Sequence, residues 1–314
     1  MQLWALIVDS FRHAVDRKLF WVLVALTLVM ALVMLSFGFD GNRVSLCFGL
    51  AHAEADQYAP LTLVGRTRLV GLMVHGVMDL ILGWLGITLV IIATAGLFPA
   101  LMESGAIDTV LSKPLSRPVL FLYKYLASMV FVLLQAALFV GLTFLVMGLR
   151  WGVWVPGYLL SIPLMVLLFS YVYGVSALVA VTTRSTVTTI LLSLGAWVAF
   201  SLVSQAPGLF EVFPELKKHQ TVYRAVRVVS WIPPKTGDVT FLAAKWAQAG
   251  TSTDMIPESV ARSGTAADQE QLERSRQYEE KQLGVSAFYS IGSSLLFEAA
   301  VVLLAIWKFT RMDF

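Results

Sequence analysis

Leu19–Phe39 reads LFWVLVALTLVMALVMLSFGF, 21 residues without a charge. A bilayer's hydrocarbon core is crossed by roughly 20 apolar residues of helix, so this stretch places the chain in lipid. The same test works outward along the sequence. Leu80–Met102 supplies 23 further residues, and Tyr125–Leu149 supplies 25, interrupted only by Gln135. Trp151–Thr183 exceeds what one span needs, which predicts tilt or an interfacial end. Ser185–Phe210 is uncharged throughout, and Leu283–Trp307 carries the single charge Glu298. The pattern predicts an all-α polytopic membrane protein with six transmembrane helices.

Composition agrees. Of 314 residues, 58% are hydrophobic and 14% charged, against about a quarter charged in soluble domains. Mean hydropathy is +0.77. The net charge of +3 reports topology rather than affinity for nucleic acid, because Lys and Arg in membrane proteins mark the inner side. Cys47 is the single cysteine, so an internal disulfide and a thiolate metal cluster are both excluded.

Six spans put both termini on one side. That side's short loops carry Arg12, Arg17, Lys18, Lys113, Arg117, Lys124, Arg184, Lys308 and Arg311; the opposite loops carry Arg43, Arg66, Arg68 and Arg150. The basic excess predicts cytoplasmic termini in a cell (inner or plasma) membrane. The first apolar run starts too late and runs too long for a cleaved leader, so it is expected to stay as an anchor. Residues 1–18 read as an interfacial amphipathic helix, with Trp4, Val8, Phe11 and Val15 on one face. Residues 19–210 hold helices 1–5, 211–282 form a large extracytoplasmic segment, and 283–314 hold helix 6 and a cytoplasmic tail. The outer segment is expected to contain a surface helix before the Trp231-Ile-Pro-Pro234 break, and a polar stretch after Thr251.

The connection between the second and third spans is the most informative loop: Glu103-Ser-Gly-Ala-Ile-Asp-Thr-Val-Leu-Ser-Lys-Pro-Leu-Ser-Arg117. Ser104 can cap a short helix over 105–112, and Pro114 stops it. Lys113 and Arg117 give the loop a basic exit. Physics alone also allows a plain topogenic loop. Gly105-x-Ile107 followed by Leu111-Ser-Lys-Pro-Leu-Ser-Arg117 resembles the signature loop of ABC-2-type transporter permeases. Arg17-Lys-Leu-Phe-Trp21, the ending Phe309-Thr-Arg-Met-Asp-Phe314 and the six-span plan agree with it. Ala106 departs from the family's usual hydroxyl residue, and the outer segment is longer than the common pattern.

The resemblance implies that 103–117 is a coupling helix docking into a separate ABC ATPase subunit. Glu103, Gly105, Ile107, Asp108, Leu111, Lys113, Pro114 and Arg117 would form the ATPase-coupling surface. It also implies a second permease copy, as a homodimer or with a related chain, working as an exporter. The chain lacks a Gly-x-x-x-x-Gly-Lys-Ser/Thr phosphate loop, so no cofactor is expected in it; ATP and Mg would belong to the partner. Catalytic and metal residues are expected to be none, with lipid as the surrounding partner.

Intramembrane polar candidates are His75, Asp79, Gln135 and Glu298. A charge at mid-span costs at least about 2.5–3.5 kcal/mol on insertion scales, so Glu298 should face another helix or water. It reads as a substrate or proton site, or as a packing residue that is neutral or hydrogen-bonded. His75 and Asp79 share a helix face and read as a relay or as an interfacial polar pair. Cys47, His52, Glu54 and Asp56 cluster without a recognised metal spacing. Two other function classes stand beside the transporter. One is an ABC-like membrane subunit that transmits mechanical work or scaffolds an outer protein complex. The other is an intramembrane enzyme or ion-coupled transporter.

Overall fold

The computed structural model describes residues 18–40, 43–54, 83–102, 116–212, 233–239 and 287–312, with isolated positions 226, 230 and 242. The expected interfacial helix before residue 18, His75, Asp79, residues 103–115 and most of 211–282 lie outside the described residues. Five helices within the described residues are long and apolar enough to cross a bilayer, and Phe20–Ser36 is a shorter apolar helix. The chain is a multi-pass helical membrane protein.

Helix α1 (Lys18–Ser36) is followed by strands β1 (Gly38–Asp40), β2 (Arg43–Leu46) and β3 (Ala51–Glu54). The strands form a small antiparallel sheet, with Phe39 opposite Val44 and Ser45 opposite His52. The sheet was not expected from the sequence: its strands of three and four residues are too short to show an alternating pattern. Between β2 and β3 the backbone turns through Cys47 and Phe48, both at positive φ. The sheet rests on helix α4 (Arg117–Trp151). Trp151 Nε1 donates to the Phe37 carbonyl at 3.0 Å. Arg150 crosses Gly38 so closely that a Cβ there would fall 2.5 Å from Nη2.

The second apolar segment, Gly83–Leu101, is broken into α2 (Ile87–Thr94) and α3 (Leu97–Leu101). Pro99 has no N–H to give the carbonyl four residues back, which accounts for the interruption at Ala95–Gly96. Helix α4 begins eight residues before the expected span, with Pro118 in its first turn. At 1.5 Å per residue its 35 residues run about 52 Å, well past a hydrocarbon core of about 30 Å. It ends on Gly152 in the left-handed conformation, whose N–H caps the Met147 carbonyl. Trp151 therefore closes α4 rather than opening the next span. A 3-10 turn at Pro156–Leu160 then leads into α5 (Ser161–Thr183).

Helix α5 is the core of the bundle. It packs on α2, α3, α4, on α6 (Thr186–Val212) and most extensively on α7 (Ala287–Thr310). Phe169, Tyr171, Val172, Tyr173, Ala177 and Val181 are all buried on it, as expected of a helix apolar all round. Helices α6 and α7 instead leave large apolar side chains outward, including Leu191, Leu202, Leu296 and Leu303. Those faces suit lipid, where apolar exposure carries no penalty.

Candidate functional site

Helix α7 carries a buried stripe. Ser290, Ser294, Ala305 and Phe309 are buried along it, while Leu296, Leu303 and Leu304 are exposed. Residues four apart share a helix face, so Glu298 falls on the Ser290–Ser294 side, towards α5. Halfway along the span it is turned from lipid, as the cost of a charge in hydrocarbon requires.

Three helices meet at this carboxyl. Tyr125 of α4 donates from Oη to Glu298 Oε1 at 2.8 Å, and Ser170 of α5 donates from Oγ to Oε2 at 2.8 Å. Tyr125 Oη also lies 3.0 Å from the Ser170 carbonyl, and Ser170 Oγ lies 2.8 Å from the Leu167 carbonyl. Gly174 of α5 lies against the same place, with room for no more than a methyl group. A Cβ there would lie 3.4 Å from Val302 Cγ2, 3.7 Å from Glu298 Cγ and 3.8 Å from Tyr125 Oη. The site is closed on one side by aromatic rings. Phe98 and Phe121 are 4.7 Å apart, Phe121 and Phe309 5.9 Å, and Tyr125 and Tyr173 5.3 Å. Behind them, the Tyr173 and Ser128 hydroxyls pair at 2.7 Å.

A second polar tie joins α1 to α4. Gln135 Nε2 donates to Thr27 Oγ1 at 3.1 Å, and Thr27 gives its own proton to the Leu23 carbonyl at 2.9 Å. The amide orientation follows, because Thr27 has no second proton to offer. Beside Gln135 lies an apolar cavity of ≈ 40 Å³, bounded by Leu23, Leu89, Val132 and Met165 among others. Gln135 is thus a helix–helix contact.

At the Ala287 end of α7, residues 233–239 sit on hydroxyls. Gly237 N donates to Ser204 Oγ at 3.2 Å, and Lys235 N to Ser294 Oγ at 3.0 Å. Ser290 bonds Asp238 through its hydroxyl, and Lys235 Nζ lies 3.8 Å over the Tyr289 ring.

At the other end of α7, Arg117 Nη1 donates to the carbonyls of Thr310 at 3.1 Å and Met312 at 2.7 Å. The last carbonyls of a helix lack intrahelical partners, so a guanidinium there satisfies them and complements the helix dipole. Of the coupling residues read from the sequence, Arg117 alone is described. Glu103, Gly105, Ile107, Asp108, Leu111, Lys113 and Pro114 lie outside the described residues, as do His75 and Asp79. Cys47 is exposed. Among the described residues, no three His, Cys, Asp or Glu side chains group as metal ligands.

Tyr125, Ser170 and Tyr173 were missed by sequence reasoning. The recoverable signal is Ser290, Ser294 and Glu298 at four-residue intervals, with Gly174 as a place of close approach. No protein-family model matches the chain, and no curated protein matches it.

Proposed function

We propose that this chain is the membrane-spanning permease subunit of an ATP-driven ABC transporter, working as an exporter. In this reading α1 completes six spans, both termini are cytoplasmic, and loop 103–117 docks on a separate ATPase subunit that holds ATP and Mg. A second permease copy completes the assembly. The observation that carries the reading is the Gly105-x-Ile107 … Leu111-Ser-Lys-Pro-Leu-Ser-Arg117 motif between two apolar helices. Its last residue, Arg117, grips the carbonyl end of α7. A push on the loop would reach α7 directly, and through Glu298 would reach α4 and α5. Ile107 and Leu111, four apart, would be the apolar anchors, and buried anchors of this kind often cost more than about 1 kcal/mol on truncation. Site-specific crosslinking from 103–117 in native membranes tests it: capture of an ATPase supports the reading.

A second reading is favoured by one observation. Residues 233–239 are seated on both α6 and α7 through Ser204, Ser290 and Ser294. Motion of α7 would therefore also reach the outer segment, as a subunit that transmits work or scaffolds an outer protein complex would need. ATPase activity that responds to a bound outer protein and to no solute would favour it.

A further inference from the structure

The hydrogen bonds around Glu298 leave room for one more proton. Tyr125 and Ser170 own one hydroxyl proton each. Those two protons face four acceptors: Glu298 Oε1, the Ser170 carbonyl, Glu298 Oε2 and the Leu167 carbonyl, all at 2.8–3.0 Å. With a carboxylate at the centre, two of the four close oxygen pairs have no proton between them. A proton on Glu298 Oε1 would donate to Tyr125 Oη, releasing the Tyr125 proton to the Ser170 carbonyl. Among the described residues no Lys, Arg or His bonds the carboxyl; its hydrogen bonds are to Tyr125 and Ser170.

The two directions away from Glu298 differ. Towards the Thr310 end, the buried stripe continues as Ala305 and Phe309, and Phe98 and Phe121 close over it. Towards the Ala287 end it continues as Ser294, Ser290 and then Asp238, which bonds Ser290. Eight residues of helix cover about 12 Å, so this stripe spans much of the half-membrane. Tyr171 of α5 is fully buried, and its hydroxyl makes no close hydrogen bond, with the Ser294 hydroxyl near enough to interact with it. It lies beside Ser294 and within electrostatic reach of Glu298. A buried phenol without a close partner is costly, and this one sits where the two polar groups are a turn apart. The titratable groups facing Glu298 are Tyr125 from α4 and Tyr171 from α5, with Tyr173 behind Tyr125. Lys235 and Asp238 belong to the segment at the Ala287 end of α7.

We infer that Glu298 is a proton-binding site, exchanging its proton with the membrane face that carries residues 233–239 by way of Tyr171, Ser294, Ser290 and Asp238. Each hydroxyl on the way accepts one proton on its oxygen and passes its own forward, with water spanning the longer steps. One proton moves: Glu298 gains or loses it, and each hydroxyl keeps one proton but ends with its O–H turned the other way, so Ser294 must turn its proton from the Ser290 carbonyl, which it meets at 2.8 Å, before the next passage. The site does not depend on a docked ATPase, so it stands or falls apart from the transporter reading.

The test is infrared difference spectroscopy on the full chain in lipid nanodiscs, comparing the wild type with Glu298→Gln. A carboxylic-acid carbonyl band should be present in the wild type, absent in Glu298→Gln, and displaced in Tyr125→Phe. On transfer to heavy water its deuterium shift should slow about tenfold, or about 1.4 kcal/mol of barrier, in Tyr171→Phe. Ser128→Ala, behind the aromatic rings, should leave that rate unchanged. Absence of any carboxylic-acid band assignable to Glu298, or exchange in Tyr171→Phe no slower than in Ser128→Ala, would overturn the proposal. Tyr171→Phe removes a hydroxyl that makes no close hydrogen bond, so its fold should survive.

Discussion

Tyr125 Oη lies 2.8 Å from Glu298 Oε1, joining two residues 173 positions apart in sequence. That bond fixes the middle of α7 against α4, while Ser170 holds the same carboxyl to α5. Side-chain hydrogen bonds inside membrane proteins average about 0.6 kcal/mol. Two of them only partly offset the cost of the carboxyl at that depth, so the residue's place needs both.

Glu298→Gln keeps the volume and an acceptor, and is expected to unfold within about 1 kcal/mol of the wild type. Glu298→Leu should lose about 1–2 kcal/mol. The loss is bounded because Tyr125 and Ser170 each have a carbonyl to turn to. Combining Tyr125→Phe with Glu298→Gln should show a coupling of about 0.5 kcal/mol or more in a double-mutant cycle. Reversible unfolding of the purified chain in mixed micelles reads all three.

At Gly174 the added methyl of alanine would meet its neighbours at ordinary contact distance. Gly174→Ala should be neutral, or stabilising by up to about 1 kcal/mol through helix propensity. Gly174→Leu should push α7 away and cost about 1–3 kcal/mol through overpacking. The same unfolding measurement checks it, and equal effects of Ala and Leu would contradict the close approach.

Arg117→Gln removes the guanidinium from the Thr310 and Met312 carbonyls. Hydrogen exchange of the last turn of α7 should quicken, with a loss of about 1.5–3 kcal/mol, the range of bonds to charged groups. Arg117→Lys keeps the charge but not the forked donor geometry, and should recover part of it. Exchange rates unchanged in Arg117→Gln would count against the grip.

The expected orientation puts residues 211–282 outside. Single cysteines at Ser252 and Ser116, in a Cys47→Ser background, should then differ towards an impermeant thiol reagent on intact cells. Ser252→Cys should be labelled and Ser116→Cys protected. The opposite pattern would reverse the topology.

Much of the membrane architecture is legible in the sequence, because lipid enforces long uncharged runs and these can be counted. Helix ends are less so. Arg117–Lys124 reads as loop because its charges break the apolar run, yet Pro118 starts α4 there. The sheet at Gly38–Glu54 is hidden, since three- and four-residue strands show no period. Glu298 is conspicuous as a lone charge, but its partners Tyr125 and Ser170 sit in spans rich in ordinary packing residues. Only the fold brings together hydroxyls 128 and 173 positions away. Arg117 reads as a basic loop residue, and its hold on the end of α7 is a tertiary fact of the same kind.

In the proposed function, loop 103–117 couples this chain to a separate ATPase. Photo-crosslinking residues placed at Ile107 and Leu111 in the full chain, in native membranes, test it most directly. An ABC ATPase should be captured at these positions. Ile107→Ala with Leu111→Ala should release the ATPase or uncouple hydrolysis while the chain still inserts, and Val226→Ala with Val229→Ala should leave ATPase binding untouched. No ATPase captured anywhere along 103–117, and none purifying with the chain, would contradict the assignment.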